Sequence, residues 1–174
     1  MNDSSAMSPA VEMEQEYLAM HTLSKRLLIG FGAGALSHLV FQGALGTILY
    51  AADLQPALVW SLKPVPPFAV PTTINNMFWD GLWGLLYALI EPCLTPRLGR
   101  VGSGLALGLA SLLIFWFIVL PLKGSGLGDV EGIKIASHVA YDLVFGIGTA
   151  LLFWAGISFT RRPSAGRAQP WARG

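Results

Sequence analysis

Four apolar runs, approximately residues 26–50, 76–91, 102–121 and 136–160, are separated by segments that carry nearly all of the charge in the chain. Each run approaches the ~20 helical residues that cross a hydrocarbon core of about 30 Å. With 53% hydrophobic and 12% charged residues among 174, no small globular core could bury such runs on every side. The sequence therefore predicts an all-α polytopic membrane protein with four transmembrane helices in an up-down bundle. An amino-terminal tail occupies 1–25, the transmembrane domain 26–162 and a disordered cytoplasmic tail 163–174. The second run is the shortest, and it needs little tilt or the recruitment of Thr72 and Thr73 at its start.

Basic residues orient the bundle. Lys25 and Arg26 precede the first run, Arg97 and Arg100 lie between the second and third, and Arg161, Arg162, Arg167 and Arg173 follow the fourth. The other two loops share Lys63, Lys123 and Lys134, so 8 of 11 basic residues fall on one side and both termini are expected in the cytoplasm. The opening segment is acidic and lacks the basic start of a secretory signal, so no cleavage is expected. Helically spaced apolar residues in VEMEQEYLAMHTLSKRLL predict a surface helix leading into the first span, with acids that oppose tight binding to an anionic leaflet.

The first external loop, AADLQPALVWSLKPVPPFAVPTT, has five prolines and should lie extended and partly interfacial, with Trp60 near the headgroups, as a connector or as a lid. The second, LKGSGLGDVEGIK, is glycine-rich. No repeat of 20–50 residues and no inverted duplication stands out. Cys93 is the only cysteine, which excludes an intrachain disulfide and a cysteine-based metal site.

Small residues mark the packing faces. A step of about 100° per residue puts Gly30, Gly34, Ser37, His38 and Phe41 on one face of the first span. Gly104, Gly108 and Ser111 repeat the device on the third span, and Gly84 contributes from the second. The GFGAG stretch lies inside an apolar span with no preceding strand, so it is not a phosphate loop. Basic residues are too few and scattered for a nucleic-acid face.

The second span carries Asn76, Asp80, Gly84, Tyr87 and Glu91 at spacings of four, four, three and four. They share a face that must point inward, because a charge facing lipid at the bilayer centre costs about 2.5–3.5 kcal/mol on insertion scales. Asp80 and Glu91 are about 16 Å apart along the axis and cannot form one site. Glu91 adjoins Pro92 at the cytoplasmic boundary, where Arg97 or Arg100 is expected to neutralise it. Asp80 shares the external layer with His138 and Asp142, four residues apart on the fourth span, whose stripe continues through Thr149 and Gly156. Gln42 reaches the same depth from the first span, with His38 one turn deeper. The third span has no ionisable residue and is expected to pack outside a site formed by the other three.

This cluster has three readings. A histidine with an ordinary pKa of about 6.5 between carboxylates suits a pocket that binds or conducts a small solute, ion or proton from the external side. The same contacts would serve an accessory subunit, their only role being to fix helix packing while glycine faces dock on a membrane-protein partner or a second copy. Thirdly, His38 and His138, from different helices but at different depths, would suit haem only at a shared depth, or His138 with Asp80 and Asp142 would suit a metal, though no cofactor is assigned and HxxxD is unspecific. Ser37 precedes His38 directly, but adjacent helix positions diverge by about 100°, so no hydrolytic site or enzyme activity is expected.

The stretches WDGLWGLLYALIEP, GLALGLASLLIFWFIVLPLKG and SHVAYDLVFGIG, closed by Arg161 and Arg162, resemble the YagU-like bacterial inner-membrane proteins over roughly residues 75–162. The resemblance implies an inner-membrane protein without an established biochemical activity, with His138 the residue to carry over. His38 and Gln42 lie outside it.

Overall fold

The computed structural model describes residues 9–122, 124 and 132–160, with side chains over 13–122, 124 and 135–160. The carboxy-terminal arginines and most of the second loop lie outside the described residues. Helix α1 (Pro9–Ser37) passes through a π-helical turn, His38–Gln42, into α2 (Gly43–Ala51) with helical backbone at both junctions. The surface helix expected before the first span is therefore continuous with it. A two-residue hairpin follows, β1 (Pro64–Val65) antiparallel to β2 (Val70–Pro71). Next come α3 (Thr72–Ile114), a second π-helical segment, Phe115–Val119, and the short α4 (Leu120–Leu122). Helix α5 (Gly132–Thr160) closes the described chain.

Three helical stretches, Met13–Ala51, Thr72–Leu122 and Ile135–Thr160, are long and apolar enough to cross a membrane. Leu28, Ile48, Phe78 and Phe117 are each more than half exposed on their outer faces, as lipid-facing side chains would be. The middle stretch is folded back on itself. Gly99 has φ 69° and ψ 179°, outside the helical region. The Tyr87 hydroxyl lies 2.8 Å from Ser103 Oγ. In a straight helix those positions would stand about 24 Å apart.

Thr72 opens α3, so the second apolar run gains length at its start, as its shortness required. It also gains length at its end, because the helix continues through Pro92 and Pro96. Pro92 has no N–H for the carbonyl of Ala88. Arg26 Nε donates to that carbonyl instead, at 2.8 Å.

Glycine contacts fix how the helices meet. A Cβ on Gly30 would stand 2.5 Å from the Gly84 carbonyl oxygen, and one on Gly34 would overlap the carbonyl of Asp80. A Cβ on Gly104 would stand 2.7 Å from the Gly146 carbonyl oxygen, and one on Gly108 would overlap that of Asp142. The sequence behind these contacts repeats. Gly30-x3-Gly34-x2-Ser37 in α1 matches Gly104-x3-Gly108-x2-Ser111 in the second limb of α3, and Trp79-Asp80-x2-Trp83-Gly84 matches Tyr141-Asp142-x2-Phe145-Gly146. Arg26 and Arg100 also correspond, and both guanidinium groups lie over aromatic rings of α5: Phe153 at 5.0 Å and Trp154 at 4.0 Å. The matches are offset by 74 and 62 residues, too far apart for the shorter period sought in the sequence.

Between the two halves sits the core: Ala33, Tyr87, Ala88, Leu107, Phe145, Ala150 and Phe153. Tyr87 and Phe153 meet edge to face at 5.5 Å. Ser37 Oγ donates to the Phe145 carbonyl at 2.8 Å, tying α1 to α5.

Candidate functional site

Close backbone approach at Gly34 brings Asp80 beside α1, one turn below His38. His38 Nδ1 is 2.9 Å from Asp80 Oδ2 and 2.6 Å from Gln42 Oε1. Both neighbours are acceptors, so Nδ1 carries the hydrogen in this arrangement. Gln42 Nε2 in turn donates to the Tyr141 carbonyl at 3.4 Å. The π-helical turn is closed by Gly43 N–H bonding to the carbonyl of His38, and it aims both side chains at the same acid layer.

The second half builds a related layer. Gly108 lets α3 approach Asp142, and Ser111 Oγ lies 2.7 Å from Asp142 Oδ1 and 2.9 Å from the Gly108 carbonyl, with one proton for the two acceptors. Asp80 and Asp142 are near enough for their charges to interact. His138 meets Phe115 edge to face at 5.6 Å, and its buried Nδ1 has no protein partner.

These side chains line a cavity of about 760 Å³, at the end of the bundle that carries the loop between α2 and β1. The loop supplies one wall. Gln55, Ala57, Leu58 and Val59 face the cavity, while Tyr141 donates its hydroxyl to Gln55 Oε1 at 2.6 Å. Gln55 Nε2 donates to the carbonyls of Gly46 and Ala57 at 2.9 and 2.7 Å. Trp60 packs against Gly43 and donates Nε1 to the Leu39 carbonyl at 3.3 Å. This segment is thus more than an extended connector.

All five residues expected in the cluster, Asp80, His138, Asp142, Gln42 and His38, reach this cavity, but the pairing differs from expectation. Asp80 takes His38 rather than His138, because the Gly30–Gly84 and Gly34–Asp80 contacts rotate its face toward α1. Asp142 takes Ser111 rather than His138, for the corresponding reason at Gly108. The third span consequently does not pack outside the site: Ser111, Ile114, Phe115 and Val119 all line it. Sequence reasoning missed Ser111, Gln55, Tyr141, Trp79 and Trp83 as lining groups. The aromatic residues flanking each aspartate were the available signal.

At the Gly99 end Glu91 pairs with Arg26, not with Arg97 or Arg100. Stepping one turn from the Gly30–Gly84 contact brings Arg26 level with Ala88 and Glu91. Arg97 bonds the Cys93 carbonyl at 2.6 Å within its own turn, and Arg100 is held over Trp154.

Among the described residues no three histidine, cysteine, aspartate or glutamate side chains gather as metal ligands, so Asp80, His138 and Asp142 do not form the metal set considered from sequence. The fold and cavity define a mostly helical chain, with helices long and apolar enough to cross a membrane and a chamber of acids, histidines and aromatic residues between two similar halves. No family model, curated protein or solved structure matches the chain.

Proposed function

We propose that the chain is a four-span bacterial inner-membrane protein, both termini cytoplasmic, whose chamber binds or conducts a small solute, ion or proton from the external side. The observation that carries this reading is the convergence of two aspartates and two histidines, from three helical elements, on one cavity of about 760 Å³. That volume lies within the roughly 300–1,000 Å³ usual for small-molecule sites. Ionisable groups within spans are costly and concentrate along ligand and ion pathways. Four crossings follow from treating the two limbs of α3 around Gly99 as separate spans, and the orientation follows from the arginine distribution. The YagU-like resemblance agrees with an inner-membrane location.

The rival reading is a structural or accessory subunit whose polar cluster only fixes helix packing, and its docking through glycine faces is the part that the glycine contacts disfavour. Gly30, Gly34, Gly84, Gly104 and Gly108 are all occupied by contacts inside the chain.

Reporter fusions at Pro66 and Gly126 should be external and one at Leu98 internal. In a Cys93→Ser background, Val119→Cys should react with a membrane-impermeant thiol reagent added outside intact cells. Reaction only from the cytoplasmic side, or only after denaturation, would overturn the proposal.

A further inference from the structure

Four polar side chains of the chamber spend donors inside the protein, while Asn75, Asn76, Trp79 and Trp83 line the cavity beside them. The Tyr141 hydroxyl, both described donations from Gln55, the Ser111 hydroxyl and the Gln42 amide all go to protein acceptors. Acceptor capacity is left over. Asp80 spends Oδ2 on His38 and Asp142 spends Oδ1 on Ser111, leaving the second oxygen of each. His38 Nε2, in a side chain only 4% accessible, has no protein partner either and accepts when the imidazole is neutral. No lysine or arginine lines the cavity, whereas Trp79, Trp83 and Phe115 do.

We infer that the chamber is shaped for a small organic ammonium ion, a protonated amine on an apolar or aromatic body. The inference rests on the chamber reading above and names its ligand class. An ammonium group brings three donors and a positive charge to the two carboxylates. Aromatic faces attract the same cation and shelter its carbon skeleton. An anion would meet two carboxylates, and a neutral polyol would leave both without a countercharge. The two aspartates occupy matching positions in the two halves, so the ligand sits at the interface between repeats, where repeat-built membrane proteins place their substrates.

Three probes of one shape test this on the full-length protein in nanodiscs: phenethylammonium, 2-phenylethanol and 3-phenylpropionate, read by tryptophan fluorescence and melting temperature. Phenethylammonium should saturate and raise the melting temperature, and the other two should do neither. Asp142→Asn should weaken the ammonium at least tenfold, while Glu91→Gln at the opposite end should leave its affinity unchanged. Equal binding of the alcohol or acid, or undiminished binding in Asp142→Asn, overturns the inference. If Asp142→Asn does not fold, the wild-type probe series decides alone. Failure of phenethylammonium to saturate while Val119→Cys is labelled from outside removes the ammonium class and leaves the chamber. Failure of both removes both.

Discussion

Gly84 and Gly32 are both interior helix glycines, yet their surroundings assign them opposite consequences. A Cβ on Gly84 would collide with the backbone carbonyl of Gly30, which cannot rotate away, whereas a Cβ on Gly32 would meet nothing within 4 Å. Gly84→Ala should therefore cost about 1–3 kcal/mol through forced separation of the helices. Gly32→Ala should stay within about 0.5 kcal/mol of the parent, because the site is open and alanine favours helix. Unfolding of the two variants in parallel checks the pair, and similar losses would mean that Gly84 is not at a close helix contact. Glycine spacing in the sequence identified the packing faces but not which glycine meets which. The contacts step one turn in opposite directions along the two helices, from Gly30–Gly84 to Gly34–Asp80, and the Asp80 side chain then reaches one turn further along α1 to His38. Antiparallel stepping from the first pair would have set Asp80 opposite Gly34, within one turn of the histidine it takes. Spacing along one helix specifies a face, and rotation against a neighbour is set by backbone approach.

Element boundaries show the same limit. Pro92 marks a helix end by sequence, but the helix passes through it and breaks at Gly99. Arg26 makes this passage tolerable by donating to the carbonyl that Pro92 leaves free while also pairing with Glu91. Removal of both contacts in Arg26→Leu should destabilise by about 2–4 kcal/mol, more than Glu91→Gln, which retains the bond to the Ala88 carbonyl. Equal losses would show that the carbonyl contact contributes nothing. Gly99 has a backbone conformation essentially restricted to glycine, with open space around its α-carbon. Gly99→Ala should consequently cost about 1–3 kcal/mol from the backbone alone, read as a lower melting temperature. An unchanged melting temperature would show that the reversal does not depend on this residue.

At the scale of the whole molecule, the apolar runs were legible because each must be long enough for a bilayer, and the acid layer because few ionisable residues interrupt them. The contribution of the third limb was not legible: Ser111 is uncharged, and its importance comes only from lying opposite Asp142. The chamber and the Arg26–Glu91 pair occupy opposite ends, with a shared core between them. Stability losses from Glu91→Gln and Asp142→Asn should thus add within about 0.5 kcal/mol, a sum that a double-mutant cycle measures. A larger coupling would mean that the core transmits strain along the full length of the bundle. The likeness of the two halves has another consequence. Two separate copies of one hairpin would be obliged to present the same side chain at equivalent places. Joined in one chain, they are free to differ, and where the first half has His38 the second has Leu112. The chamber therefore has a handedness: one aspartate is held by the His38 imidazole and the other by the Ser111 hydroxyl, and a molecule between them, turned end for end, would not be the same guest.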